Sequence, residues 1–290
     1  MIEFLDANAV TILNGVARGL VLFLIAIGLS LIFGLMDVLN LAHGAVFLLG
    51  GYAAVQLAPR GDGFLLALLV AVVAALVLGA GMAAAVRPLA GRGHLDQALL
   101  TLGAAYVLTE LSILVWGDDY YSVAPPPALA GGTEVFGQVF PTYRLVVIAV
   151  GLVVALVVYL VFERTPVGAV VRATVADRGM VAALGVNTTV VLVGVFAAGT
   201  ALAALGGVLG APVLGVRPGV DRQVLLLALI VVVIGGLGSI RGALVGALLI
   251  GQVEALGVAL LPELAAFLLF GAMAVVLLLR PSGLFGAAAP

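Results

Sequence analysis

The chain contains no cysteine and no lysine, and its two histidines, His43 and His94, lie far apart in sequence. Without cysteine there is no disulfide, no thiol chemistry and no cysteine–metal site. Two distant histidines give no metal-ligand spacing either, so no metal is expected. Without lysine there is no P-loop, because a Walker A motif needs that side chain to reach the nucleotide phosphates. Any ATP hydrolysis through a P-loop therefore belongs to another polypeptide. Charge is also scarce: 9% of the 290 residues are Asp, Glu or Arg, against about 25% in a soluble domain. The net charge of −2 offers nucleic acid no basic surface. No Ser-His-Asp ordering and no pair of carboxylates on one apolar segment suggests catalysis, so an enzyme is not expected. The N-terminus lacks a basic n-region and shows Glu3 and Asp6, which predicts a retained first span.

What is abundant is apolar. Hydrophobic residues make up 64% of the chain, and its mean hydropathy is +1.36. A helix needs about 20 apolar residues to cross about 30 Å of hydrocarbon. That ruler predicts an all-α, polytopic membrane bundle of eight to nine spans in a single domain over 1–290. The expected spans are Val10–Gly34, Leu41–Ala58, Phe64–Val86, Leu95–Trp116, Tyr143–Phe162, Thr188–Leu214, Gln223–Gly235, Ala243–Leu261 and Leu264–Leu279. The Gln223–Gly235 segment is short and reads as a broken helix.

Orientation follows from arginines in short loops. With the segment between the fifth and sixth spans inside, Arg87, Arg92, Arg164, Arg172, Arg178, Arg241 and Arg280 are cytoplasmic, and Arg60, Arg144, Arg217 and Arg222 are external. The acidic loop at about 117–142, with Asp118, Asp119 and Glu134, is then external and the C-terminus internal. Nine full crossings put the N-terminus outside. If Leu35–His43 re-enters instead of crossing, the N-terminus is inside.

Thirty-nine glycines punctuate these helices. Gly15 and Gly19 form one GxxxG pattern, and Gly238, Gly242 and Gly246 form two in tandem. Small residues at this spacing let helix backbones approach closely in lipid, so these are candidate packing positions. The run GGLGSIRG, Gly235–Gly242, lacks both the preceding strand and the spacing of a phosphate loop. A tight turn between packed helices is expected there.

The longest cytoplasmic segment, at about 164–186, reads as a helix with proper ends. Thr165 is placed to N-cap, Pro166 occupies the first helical position, and Gly185 suits the residue after the last turn. Gly179 is a candidate break into two short helices. Ala176, Met180, Ala183 and Leu184 share a face, with Arg172 beside them. One reading makes the arginines a consequence of the positive-inside bias alone. The other makes the helix a docking element for a soluble partner, which would have to meet the chain here.

Three ionisable groups lie at membrane depth: Arg18, Glu110 and Glu254. Each costs roughly 2.5–3.5 kcal/mol on insertion scales and should face the bundle or water. They line a translocation path on one reading. On the other they make structural contacts, including an Arg18–carboxylate pair between helices. Asp37, Asn40 and His43 cluster at the mouth of the second span, as path residues or as satisfied caps.

Three stretches together resemble the branched-chain amino-acid ABC transporter permeases, the LivH-like type. The first is Gly28–Ala54, matching at Gly34, Asn40, Ala42, His43, Gly44, Gly50 and Tyr52. The second is the central segment, matching at Gly168, Arg172, Ala173, Met180, Ala183, Leu184, Gly185 and Asn187. The third is Gly235–Leu256, including Glu254. Ala45 stands where the family usually has an acidic residue, which weakens the case for a carboxylate role at that mouth and for any inference about substrate. Arg241 stands where it usually has proline.

The resemblance implies the membrane subunit of an importer working by alternating access. It implies a second homologous permease subunit in a heterodimer, two cytosolic ATPases and an extracytoplasmic binding protein. ATP and Mg would sit on the ATPases, with no cofactor on this chain. Arg172, Asp177, Arg178, Met180, Ala183, Leu184 and Gly185 would couple to the ATPases. Asn40, His43, Glu110 and Glu254 become path candidates, and Asp118, Asp119 and Glu134 candidates for contact with the binding protein. The cargo implied is a small amino acid of the branched-chain class; urea, short amides and other small solutes are alternatives within the family. A stand-alone proton-coupled transporter relaying through Glu110 and Glu254 is the competing class.

Overall fold

The computed structural model describes residues 2–36, 38–89, 93–135 and 137–286, without the side chains of 2–7 and Leu35. In chain order the helices are α1 (Ile2–Met36), α2 (His43–Leu57), α3 (Phe64–Val86), α4 (His94–Trp116), α5 (Thr142–Arg164), α6 (Pro166–Ala176), α7 (Arg178–Ala183), α8 (Thr188–Leu214), α9 (Val220–Gly235), α10 (Ile240–Leu260) and α11 (Ala265–Leu279). Seven of them, α1, α3, α4, α5, α8, α10 and α11, are long and apolar enough to cross a membrane, the last with its leading turn Pro262–Leu264. The expected second and seventh spans are the shorter α2 and α9, of 15 and 16 residues.

An inner set and an outer set divide the bundle. The apolar window of α1 is 83% buried and that of α8 56%, whereas α4 shows 17% and α11 0%. A helix that is apolar all round belongs in a core or in lipid, and here the two outcomes separate by position. α1 packs against α10, α8, α9 and α5, and α8 packs also against α2 and α3. Glycines permit the closest crossings. A Cβ on Gly19 would stand 2.7 Å from the Ala247 carbonyl oxygen, and one on Gly246 2.8 Å from that of Val231. A Cβ on Gly242 would collide with the backbone of Gly235, and one on Gly251 with Gly15 and Gly19. Gly238 faces Gly34. Between α3 and α8 the Thr200 hydroxyl, fully buried, donates to Ala75 at 3.0 Å.

The two ends of the bundle are distinct. At one end the Arg144 guanidinium, on the first turn of α5, donates to Asn14 of α1. At the same end Tyr121 and Val216 form a two-residue bridge. At the other, Gly34 meets Gly238, and Leu284 and Phe285 donate to the carbonyls of Ile234 and Gly235. The start of α1 therefore shares the end that carries the 117–142 segment. The arginine bias predicts that the end carrying α6 and α7 is cytoplasmic, and the two ends are called cytoplasmic and external on that expectation. Both alternatives for the Leu35–His43 stretch occur in part. α1 runs the full depth, and the chain then turns back so that His43 meets the Ile25 carbonyl at 3.1 Å. Ile25 lies eleven residues before Met36, or about 16 Å along the helix. Asp37, in the turn, lies outside the described residues.

α9 is recessed in the opposite sense. Its Asp221 accepts from the Thr109 hydroxyl of α4 at 3.1 Å and from the Gly219 amide at 2.9 Å. Thr109 is seven residues inside Trp116, about 10 Å from the external end. The 117–142 segment is more ordered than a bare loop: β1 (Gly132–Val135) pairs antiparallel with β2 (Gln138–Pro141), with Gly132 opposite Pro141.

Candidate functional site

At the cytoplasmic end, Thr165 accepts from the Gly168 amide at 3.4 Å and starts α6 after Arg164. The segment breaks at Asp177 and not at Gly179. Asp177 adopts an extended backbone, and its carboxylate accepts from the Met180 amide at 2.8 Å, so it N-caps α7. An aspartate competes for local amides better than a glycine, which has no side chain to satisfy the first-turn donors. Gly185 closes α7 with φ of +85°, a conformation that glycine takes cheaply.

The arginines here are engaged within the chain. Arg172 donates to the Phe162 carbonyl and stands 4.0 Å from Glu163, and Arg178 reaches the Thr188 hydroxyl at 3.4 Å. What projects outward is apolar: Met180 is 65% exposed and Leu184 78%, with Ala183 exposed beside them. Nearby, Arg241 donates to the Tyr159 hydroxyl at 3.0 Å, and Arg241 and Arg164 both lie over that ring. Arg241 is therefore placed as an interfacial anchor on α5.

At the external end a cavity of about 530 Å³ opens between α1, α5, α8, α9 and α10. It gathers Arg18, Arg144, Arg217 and Glu254 with Asn14, Gln223 and Tyr120. Arg18 donates to Glu254 at 2.8 Å across α1 and α10. The sequence marks Arg18 and Glu254 as groups at membrane depth and Arg144 and Arg217 only as external charges. No spacing rule could have joined positions 18, 144, 217 and 254, since helix packing alone brings them together.

The other candidates lie elsewhere. Asn40 and His43 are fully buried. Asn40 accepts from the Ala42 amide at 3.1 Å and His43 bonds Ile25, so both sit among backbone partners rather than on the cavity. Glu110 is exposed on α4 and does not line the space that Glu254 lines. Asp118, Asp119 and Glu134 are exposed at the external end, Glu134 on β1. Among the described residues no group of His, Asp and Glu could hold a metal ion.

Comparison with known proteins covers nearly the whole chain. The family model described as "Branched-chain amino acid transport system / permease component" matches residues 11–278. The high-affinity branched-chain amino acid transport system permease protein BraD of Pseudomonas aeruginosa is 31% identical over 293 residues, 95% of this chain and 94% of its own length. The corresponding LivH of Escherichia coli K12 is 31% identical over 291 residues, covering 94% of each chain. The LivH of Salmonella typhimurium is also 31% identical, over 296 residues, with the same coverage of both chains. No solved structure matches.

Proposed function

The chain belongs to the permease-component family of branched-chain amino acid transport systems, a multi-pass protein of the inner membrane, and from that premise we propose how it works. It carries branched-chain or similar small amino acids inward as one of two homologous permease subunits, a heterodimer, served by two cytosolic ATPases and an external binding protein. The ATPases grip α6 and α7, and their closure on ATP tilts the bundle between outward and inward access. The observation that carries this reading is the apolar tip Met180, Ala183 and Leu184. It projects from a doubly capped helix at the end of the molecule where charge bias puts the cytosol.

Apolar side chains of this size gain roughly 1.5–3 kcal/mol each on full burial, which suits a groove on a soluble partner. Arg172 and Arg178 serve this surface from behind, tying α6 and α7 to α5 and α8. The acidic external surface, Asp118, Asp119 and Glu134, is offered to the binding protein. Glu254 works in this scheme as the partner of Arg18, while Glu110, exposed on α4, takes no part in the cavity that Glu254 lines.

The test is Leu184→Asp in the full transporter reconstituted in vesicles. ATP-driven uptake of leucine should fall at least tenfold while the purified subunit keeps its thermal midpoint. Unchanged uptake moves the docking surface elsewhere, and recovery of a chain that transports alone, with no ATPase attached, ends the proposal.

A further inference from the structure

Among the described residues, the external cavity carries more positive charge than its own carboxylate neutralises. Of its three guanidiniums only Arg18 has a carboxylate partner. Arg144 bonds the neutral Asn14, and the Arg217 guanidinium, whose backbone carbonyl accepts from the Val220 amide at 3.3 Å, has no hydrogen bond or ion pair of its own among the described residues. Among the described residues Glu254 is the single carboxylate on the lining. Arg217 is exposed and Arg144 half-buried, so water can solvate both and both stay open to an anion that enters the cavity. The lining also includes the aliphatic Leu22, Val213, Val224 and Leu227. At about 530 Å³ the space falls within the range of small-molecule sites.

We propose that this cavity is a solute-binding site within the permease itself, in which Arg144 and Arg217 receive the carboxylate of an aliphatic amino acid. The inference rests on the permease reading above and adds a recognition step in the membrane subunit, after release from the binding protein. Guanidinium forks match carboxylates in geometry as well as in charge. The side chain lies against Leu22, Val224 and Leu227. The Glu254 oxygen not bound by Arg18 faces the solute ammonium. Arg18 is a positioning residue, since its bond to Glu254 fixes that carboxylate at the cavity wall.

The experiment uses the intact permease complex in nanodiscs and saturation-transfer NMR with three probes. These are L-leucine, 4-methylpentanoate, which lacks the ammonium, and L-leucinol, which lacks the carboxylate. The two carboxylates should bind the wild type saturably, with leucinol at least tenfold weaker. Arg217→Gln, which breaks no bond within the protein, should weaken both carboxylates about tenfold, the scale of one charge-assisted contact. It should leave leucinol unchanged. Arg144→Gln added to it should weaken the carboxylates further. Carboxylate binding unaffected by Arg217→Gln, leucinol binding as well as leucine, or no saturable carboxylate signal in the wild type overturns the site. ATP dependence of wild-type leucine uptake is measured separately in vesicles. Uptake that persists without ATP refutes the importer reading, while the probe comparison still decides the site.

Discussion

Arginines at the two ends of this molecule do different work. At the cytoplasmic end, Arg172 and Arg178 bond a carbonyl and a hydroxyl of adjacent helices and leave an apolar tip to project. At the external end, Arg18, Arg144 and Arg217 come from three distant parts of the chain and converge on one cavity. Each of the first set lies ten residues from its partner in sequence, so local geometry is enough. The second set exists only because α1, α5 and the turn between α8 and α9 meet as they do. The same side chain is thus an anchor where its partners are local and a binding group where its neighbours leave charge unmatched.

The strongest way to break the contrast is at the crossing that builds the external cluster. Gly251→Val would drive a branched side chain into Gly15 and Gly19 of α1. Overpacking of this kind costs about 3 kcal/mol or more at a backbone contact. The expected outcome is loss of the folded, solute-binding protein, read by denaturation in detergent, while Gly185→Ala at the exposed end leaves the external probes binding normally.

A smaller effect is expected within the cluster. Glu254→Ala leaves Arg18 without its partner. A fully buried pair would lose about 3–5 kcal/mol; with Arg18 about one-third exposed, about 2 kcal/mol is expected. The double variant Arg18→Leu with Glu254→Leu should recover at least half of that loss. Additive losses in the four-member cycle would show that the pair is not coupled.

At the cytoplasmic end the effects are local and smaller still. Asp177→Ala removes the N-cap of α7 and should cost about 1 kcal/mol. Faster amide exchange at Met180 and Val181, with no change in α1, is the expected signature. Arg172→Ala should change global stability by less than about 0.5 kcal/mol, because its ion pair is half exposed and long. A loss as large as that of Glu254→Ala would erase the distinction between the two ends.

Much of this was legible before any coordinates. Length and hydropathy delimited the long spans, and the short seventh segment announced itself as Gln223–Gly235, seen as α9. Thr165, Pro166 and Gly185 marked helix ends because caps are local chemistry. The break at Asp177 was misplaced at Gly179, since a weak helix former and a strong N-cap two residues apart compete and only the realised hydrogen bond decides. The hairpin of β1 and β2 was hidden in a polar stretch with no clear alternation. Arg217 gave no signal beyond its charge.

Composition by itself determined that this chain lives in a membrane and lacks a P-loop of its own, because hydropathy and the absence of lysine are sums over residues and need no partner. Only the tertiary structure decided that Arg18 meets Glu254, that Asn40 and His43 are buried among backbone groups, and that three arginines share one cavity. In a bundle where nearly every helix is apolar on all sides, periodicity does not say which face turns inward, and that choice falls to glycine contacts and a few polar bonds between helices.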